Sequence, residues 1–156
     1  MSDSTSTSKR LLLPCHARSL SQLRWVLGSL AYEFGFRLEN QDEVVMAADE
    51  AFSNILEHAY PDPADAPPLE ICITLMQDSF VVDLIDEGIP FDFQSYTMPE
   101  FPQHFLEGNE RGAGVYMIHK CMDQVEYSRL PGERNRTRLV KLRRSVRQPE
   151  AIECTA

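Results

Sequence analysis

NQDEVVMAADEAFSNILEHAY, residues Asn40 to Tyr60, is the stretch on which the reading of this sequence turns. Set on a helix at about 100° per residue, Val44, Val45, Ala48, Phe52, Ile55, Leu56 and Ala59 gather on one arc of about 120°, a core-facing stripe. Asp49, Ser53 and Glu57 fall on the wet side. Glu50, Asn54 and His58 form a third line along the border between the two. Their neighbours on that border are Ala47 and Ala51, small enough to let something approach the helix. Asn40 is the expected N-cap, with acidic Asp42 and Glu43 in the first turn, and Pro61 ends the helix near Tyr60.

The border line has a chemical use. An Asn offers a neutral oxygen, and magnesium prefers oxygen ligands while keeping several waters. A Glu one turn earlier can accept a proton from a hydroxyl aimed at phosphorus. E-x-x-x-N is also an ordinary polar face of an amphipathic helix, and His58 reads as a helix-end hydrogen-bonding residue. The helix alone leaves both readings open.

Working outward, Ala17 to Phe34 carries Leu20, Leu23, Val26, Leu27, Leu30, Ala31 and Phe34 at helical spacing, and Gly35 stops it. Arg10 to Cys15 reads as a short strand and residues 1–9 as a disordered N-terminus. PDPADAPP, Pro61 to Pro68, is a loop. Leu69 to Met76 alternates at strand period, and Phe80 to Asp86 is a second, buried strand across a Gln77-Asp78-Ser79 turn. Ile89 to Glu110 is irregular, with Pro90, Pro99 and Pro102, and a stretch of that length is commonly functional. A helix follows over Gly112 to Met122. Val125 to Leu130 and Thr137 to Arg144 are strands around Pro131-Gly132-Glu133, and residues 145–156 form a flexible tail. The order β-α-α-β-β-loop-α-β-β predicts one domain over residues 10–144. Its class is α+β: a two-layer sandwich with a mixed, mostly antiparallel sheet and helices on one face.

Composition narrows the function classes. Hydrophobic residues make up 43% and charged residues 25% of the 156, ordinary for a globular domain with one core. No apolar run approaches the roughly 20 residues that span a bilayer, and MSDSTSTSKR has no apolar signal region. Four scattered cysteines make neither a disulfide framework nor a zinc site. A cytoplasmic protein is expected, with no membrane partner. The net charge is −9, with no Lys or Arg from Leu38 to Glu110 and ten of fifteen basic residues from Arg111 onward. Direct nucleic-acid binding, which needs clustered cations, is not expected. The unequal distribution fits either a plain polar surface or an acidic cleft that takes a polyphosphate together with a divalent cation.

Two further motifs bear on that choice. Asp86-Glu87-Gly88-Ile89-Pro90-Phe91 follows a buried strand. A carboxylate there can accept a hydrogen bond from an exocyclic amine such as that of adenine, and the glycine allows close approach. Arg111-Gly112-Ala113-Gly114-Val115-Tyr116-Met117-Ile118 opens a helix with glycines, exposing N–H groups at a terminus that favours anions. No GK[ST] follows, and no strand immediately precedes it, so neither the P-loop nor the Rossmann fingerprint fits.

In this order and spacing the three motifs resemble those of the GHKL (Bergerat-fold) ATPases, and within them the anti-sigma-factor serine/threonine kinases. EAFSNILEHAY stands as the N-box, DEGIPF as the first glycine box and RGAGVYMI as the second. The resemblance covers roughly Arg10 to Arg144. It implies ATP and Mg2+ as cofactors, Glu50 as the catalytic base and Asn54 as the metal ligand. Asp86 would bind the adenine amine with Gly88 beside the ring. Gly112 and Gly114 would cradle phosphates beneath a lid over about Pro99 to Arg111, Arg111 would pair with the terminal phosphate, and Ala113 and Val115 would belong to the same cofactor-binding set. Thr137 would stand near adenine on the last strand, although GERNRTR departs from the usual Gly-Thr, and Pro90 replaces a second glycine in the first box. Implied partners are a serine-bearing anti-anti-sigma protein of the STAS type, a sigma factor and a second copy of the chain. Other readings are an ATP-binding regulatory module with little or no kinase activity, a detached histidine-kinase catalytic domain, and an acidic interaction domain that binds no nucleotide.

Overall fold

The computed structural model describes residues 6–91 and 112–144. Five strands, β1 (Thr7–Leu13), β2 (Leu69–Leu75), β3 (Ser79–Asp86), β4 (Gln124–Leu130) and β5 (Arg134–Leu142), form one sheet in the order β1-β2-β3-β5-β4. The helices are α1 (Ser19–Glu33), α2 (Leu38–His58) and α3 (Ala113–Cys121), with a 3-10 turn at Pro63–Asp65. The expected α+β architecture and mostly antiparallel sheet are present, and all four ladders among the described residues are antiparallel.

Register explains the layering. Successive strand side chains alternate between faces. Ile71 pairs with Leu84 and Ile73 with Val82, while Val82 and Leu84 on their other side meet Leu139 and Thr137. Ile71, Ile73, Val82, Leu84 and Leu139 are fully buried, and so are Leu23, Leu27, Val44, Ala48 and Phe52 of the helices. They make up one core. The other face is polar: Arg138 pairs with Asp83 at 2.7 Å and Arg10 with Glu70 at 2.7 Å.

Element ends differ from the expected ones for identifiable reasons. β1 begins at Thr7, because residues 7–9 pair with 73–75 of β2, so this part of the expected disordered N-terminus lies in the sheet. Asn40 is not the N-cap of α2. The helix starts at Leu38 after extended Arg37, and the Asn40 Nδ2 donates to Glu43 Oε2 at 3.0 Å inside the first turns. Asp49, expected on the wet face, accepts a two-pronged contact from Arg24 that ties α1 to α2. Gly35 does end α1. With φ of +89° it lets the Phe36 N–H reach Ala31 O and its own N–H reach Tyr32 O, the paired bonds of a Schellman cap. β5 begins at Arg134, three residues before the expected start, because its polar residues on both faces have partners across the sheet.

Candidate functional site

Helix α2 crosses the sheet and brings its border line to the C-terminal end of β3, opposite the first turn of α3. Between them lies a cavity of about 160 Å³. Asn54 and His58 of α2 line it, as do Asp86 at the end of β3, Val115 of α3 and Thr137 of β5. Ile55, Ile89, Phe91, Ile118 and Val125 supply apolar wall. A mainly apolar cavity with a few fixed polar groups suits a small organic ligand. His119 also faces it, and burial pushes its pKa down, which favours a neutral ring.

Asp86 is the most constrained polar group of the site. It is 5% exposed, and its Oδ1 accepts from the Gly88 N–H at 2.8 Å and from Asn135 Nδ2 at 2.9 Å. The loop after it is held from three sides. The Tyr60 hydroxyl accepts from the Glu87 N–H at 2.9 Å, the Tyr127 hydroxyl accepts from the Phe91 N–H at 2.7 Å, and the Ile89 N–H donates to Ala59 O at 2.7 Å. Gly88 has a packing reason to be glycine: an added Cβ would lie 2.4 Å from Ala59 O, so the missing side chain makes room for the end of α2. Gly88 does not line the cavity.

Glu50 and Asn54 meet the second glycine motif. Gly112, with φ of +86°, is the N-cap of α3 and Ala113 its first residue. A Cβ on Gly114 would lie 2.6 Å from Glu50 Oε2 and 3.6 Å from Asn54 Oδ1. Glu50 therefore stands behind the cavity against the first turn of α3. Its pKa is raised, first by burial, then by the Asp49 and Glu57 carboxylates. A proton-accepting group gains basicity that way. Among the described residues no three His, Cys, Asp or Glu side chains form a metal cage. Asn54 Oδ1 and Glu50 Oε2 are the oxygens that stand nearest Gly114, and an amide oxygen of this kind is a hard-cation donor.

The structure thus brings Asn54, Asp86, Val115 and Thr137 to the lining of one cavity and sets Glu50 and Gly114 beside Asn54, while Gly112 and Ala113 open the helix that carries Gly114. Arg111 and the expected lid over about 99–111 lie outside the described residues. Sequence reasoning missed Asn135, Tyr60 and Tyr127. Tyr60 closes the helix motif itself, but nothing local marks its hydroxyl as the anchor of a distant loop.

A helical layer over one face of an antiparallel sheet, with a polar-tipped cavity at the sheet's end, defines an α+β sandwich. The chain belongs to the histidine kinase-like ATPase domain family, whose sequence profile matches residues 13–141. Its curated relatives include the serine-protein kinase RsbW of Bacillus cereus (strain B4264), 27% identical over 121 residues, covering 73% of this chain and 72% of that protein. The serine-protein kinase RsbW of Bacillus mycoides (strain KBAB4) is 26% identical over the same length. Among solved structures, the RsbU and RsbW domains of Rv1364c from Mycobacterium tuberculosis superpose with a TM-score of 0.62 at 16% identity. That match covers 89% of this chain and 33% of the larger one, and it bears on the fold alone. The expected GHKL-type fold and its serine-kinase branch are both borne out by these likenesses.

Proposed function

We propose that this protein is an Mg-ATP-dependent serine/threonine kinase and anti-sigma factor of the cytoplasm. It transfers the γ-phosphoryl group of ATP to a serine of a STAS-type anti-anti-sigma protein, and it sequesters a sigma factor. The observation that carries the reading is the approach of Gly114 to Glu50 and Asn54 beside a cavity tipped by Asp86.

Phosphoryl transfer depends on positioning, charge neutralisation and a base. Asp86 takes the adenine amine, and the apolar wall holds the ring. The N–H groups at the start of α3 face the phosphates, with Gly112 and Gly114 leaving the backbone open. Asn54 would hold a magnesium ion, which would supply the neutralising charge. Glu50 takes the proton of the attacking serine hydroxyl as its oxygen bonds to phosphorus and ADP leaves. Arg111, next to Gly112 in the chain, is assigned to the terminal phosphate. The relatives' name as serine-protein kinases supports the substrate class.

Two measurements test this. Incubation with γ-labelled ATP and STAS-type proteins encoded nearby should label a serine. Glu50→Gln should abolish labelling and keep Mg-ATP binding by calorimetry. Tight ATP binding with no labelled partner would instead favour a regulatory module that switches partners without turnover, and absence of binding would remove every nucleotide reading.

A further inference from the structure

Asn135 is given no role by the motifs, yet it is fully buried and sits directly opposite Asp86 in the β3–β5 ladder. Its Nδ2 donates to two acceptors, Asp86 Oδ1 at 2.9 Å and the Gly88 carbonyl oxygen at 2.9 Å. Its Oδ1 accepts from the Arg129 guanidinium, which faces it across the β4–β5 ladder. A guanidinium has only donors, whereas a carboxylate and a carbonyl have only acceptors. The amide therefore has one permitted orientation, because a flip would oppose like groups at both ends. Asp86 Oδ1 is in turn saturated, by Asn135 and by the Gly88 N–H. The Oδ2 atom carries no hydrogen bond among the described residues, although the residue lines the cavity.

We propose that Asn135 is a positioning residue for base recognition: anchored by Arg129, it locks the Asp86 carboxylate so that Oδ2 is presented to the exocyclic amine of the base. The inference rests on the assignment of Asp86 to adenine made above. A carboxylate free to rotate presents either oxygen at many angles and loses part of its discrimination to that freedom. A carboxylate held at one oxygen presents the other in a single direction. A site built to bond an amine then rejects a base that lacks it, because a buried acceptor would be left unpaired.

The test compares Mg-ATP with the Mg complex of purine riboside 5′-triphosphate, which lacks only that amine, by calorimetry on the full chain. The wild type should prefer ATP by about tenfold or more, and Asn135→Ala should weaken ATP about tenfold while changing the analogue less than about twofold. Equal weakening of both nucleotides would mean a merely structural role and overturn the proposal. An unchanged preference for ATP in that variant would overturn it too, leaving the Asp86 reading intact. A wild type that does not distinguish the two nucleotides would instead remove the Asp86–adenine contact, and the proposal with it. Arg129→Met, at an exposed position on β4, keeps the question answerable if Asn135→Ala fails to fold. Its loss should be about threefold and confined to ATP, and an equal or absent effect on the two nucleotides counts against the anchor.

Discussion

Gly114 in the first turn of α3 lies so close to Glu50 of α2 that a methyl group on it would stand 2.6 Å from the Glu50 Oε2 atom. Two motifs far apart in the chain are fitted to each other at this point. Alanine is otherwise better than glycine in a helix by about 1 kcal/mol, so Gly114→Ala separates site from scaffold. The variant should keep or gain thermal stability. Displacement of Glu50, the proposed base, should lower partner phosphorylation about 100-fold. Unchanged phosphorylation alongside a preserved fold would show that the contact has no catalytic consequence.

Glu50 also sets a pH signature. Its carboxyl is raised by burial and by the Asp49 and Glu57 charges. If Glu50 is the proposed base, the phosphorylation rate should fall as pH drops through that raised value, because the carboxylate becomes protonated. Glu57 is exposed, so Glu57→Gln removes one repelling charge without touching the core. The acid limb of the rate profile should move to lower pH in that variant. The stability sign runs the other way. A carboxyl raised in the folded state contributes its stability fully below its unfolded value. That contribution is lost as pH climbs from the ordinary Glu range, about 4.3, through the raised one. Glu50→Gln should therefore melt at or above the wild-type temperature at neutral pH, which thermal scans would read.

Gly88 offers the opposite kind of test, since the atom an added Cβ would meet is backbone. At 2.4 Å from Ala59 O it cannot be accommodated by a side-chain rotation. Gly88→Ala should break the Ile89 to Ala59 hydrogen bond and cost about 2–3 kcal/mol. Denaturant unfolding would measure it. Loss of ATP affinity without loss of stability would contradict the packing role.

Lys141 is a buried cation on the helix-facing side of β5, 4% exposed, where it pairs with Glu43 and donates to the Cys121 carbonyl at 2.7 Å. It thereby joins β5 to α2 and to the end of α3. Lys141→Ala leaves both partners unpaired and should cost about 2–4 kcal/mol, less than the most buried pairs because Glu43 is partly solvated. Combining it with Glu43→Gln should recover part of that loss. Strict additivity in the double-mutant cycle would deny the coupling.

Much of this molecule is determined locally. The stripe from Val44 to Ala59 specifies α2, because a helix that buries one arc can lie only one way on a sheet. The same periodicity places Glu50, Asn54 and His58 on its border. Gly35 specifies where α1 stops, because the Schellman cap needs a residue comfortable at positive φ. The alternation in Leu69 to Leu75 specifies β2 and its buried face. The motifs at Asp86 and Gly112 identify the family, since their chemistry is written in contiguous residues.

Tertiary structure decides what contiguous residues cannot. GERNRTR has no alternation, because the inner side of β5 meets Asp86 and the outer side meets Asp83 and Glu70. Asn135 therefore falls between the expected turn and the expected strand until the register sets it beside an aspartate 49 residues away. Gly88 reads as a point of close backbone approach, and only the docked end of α2 shows that Ala59 fills the space a side chain would need. The sequence by itself determined which groups this protein has to work with and which helix carries two of them. The register of β3 with β5, and the docking of α3 on α2, decided which groups touch. Those contacts arise between segments that share no local periodicity, and only the burial of a common core brings them together.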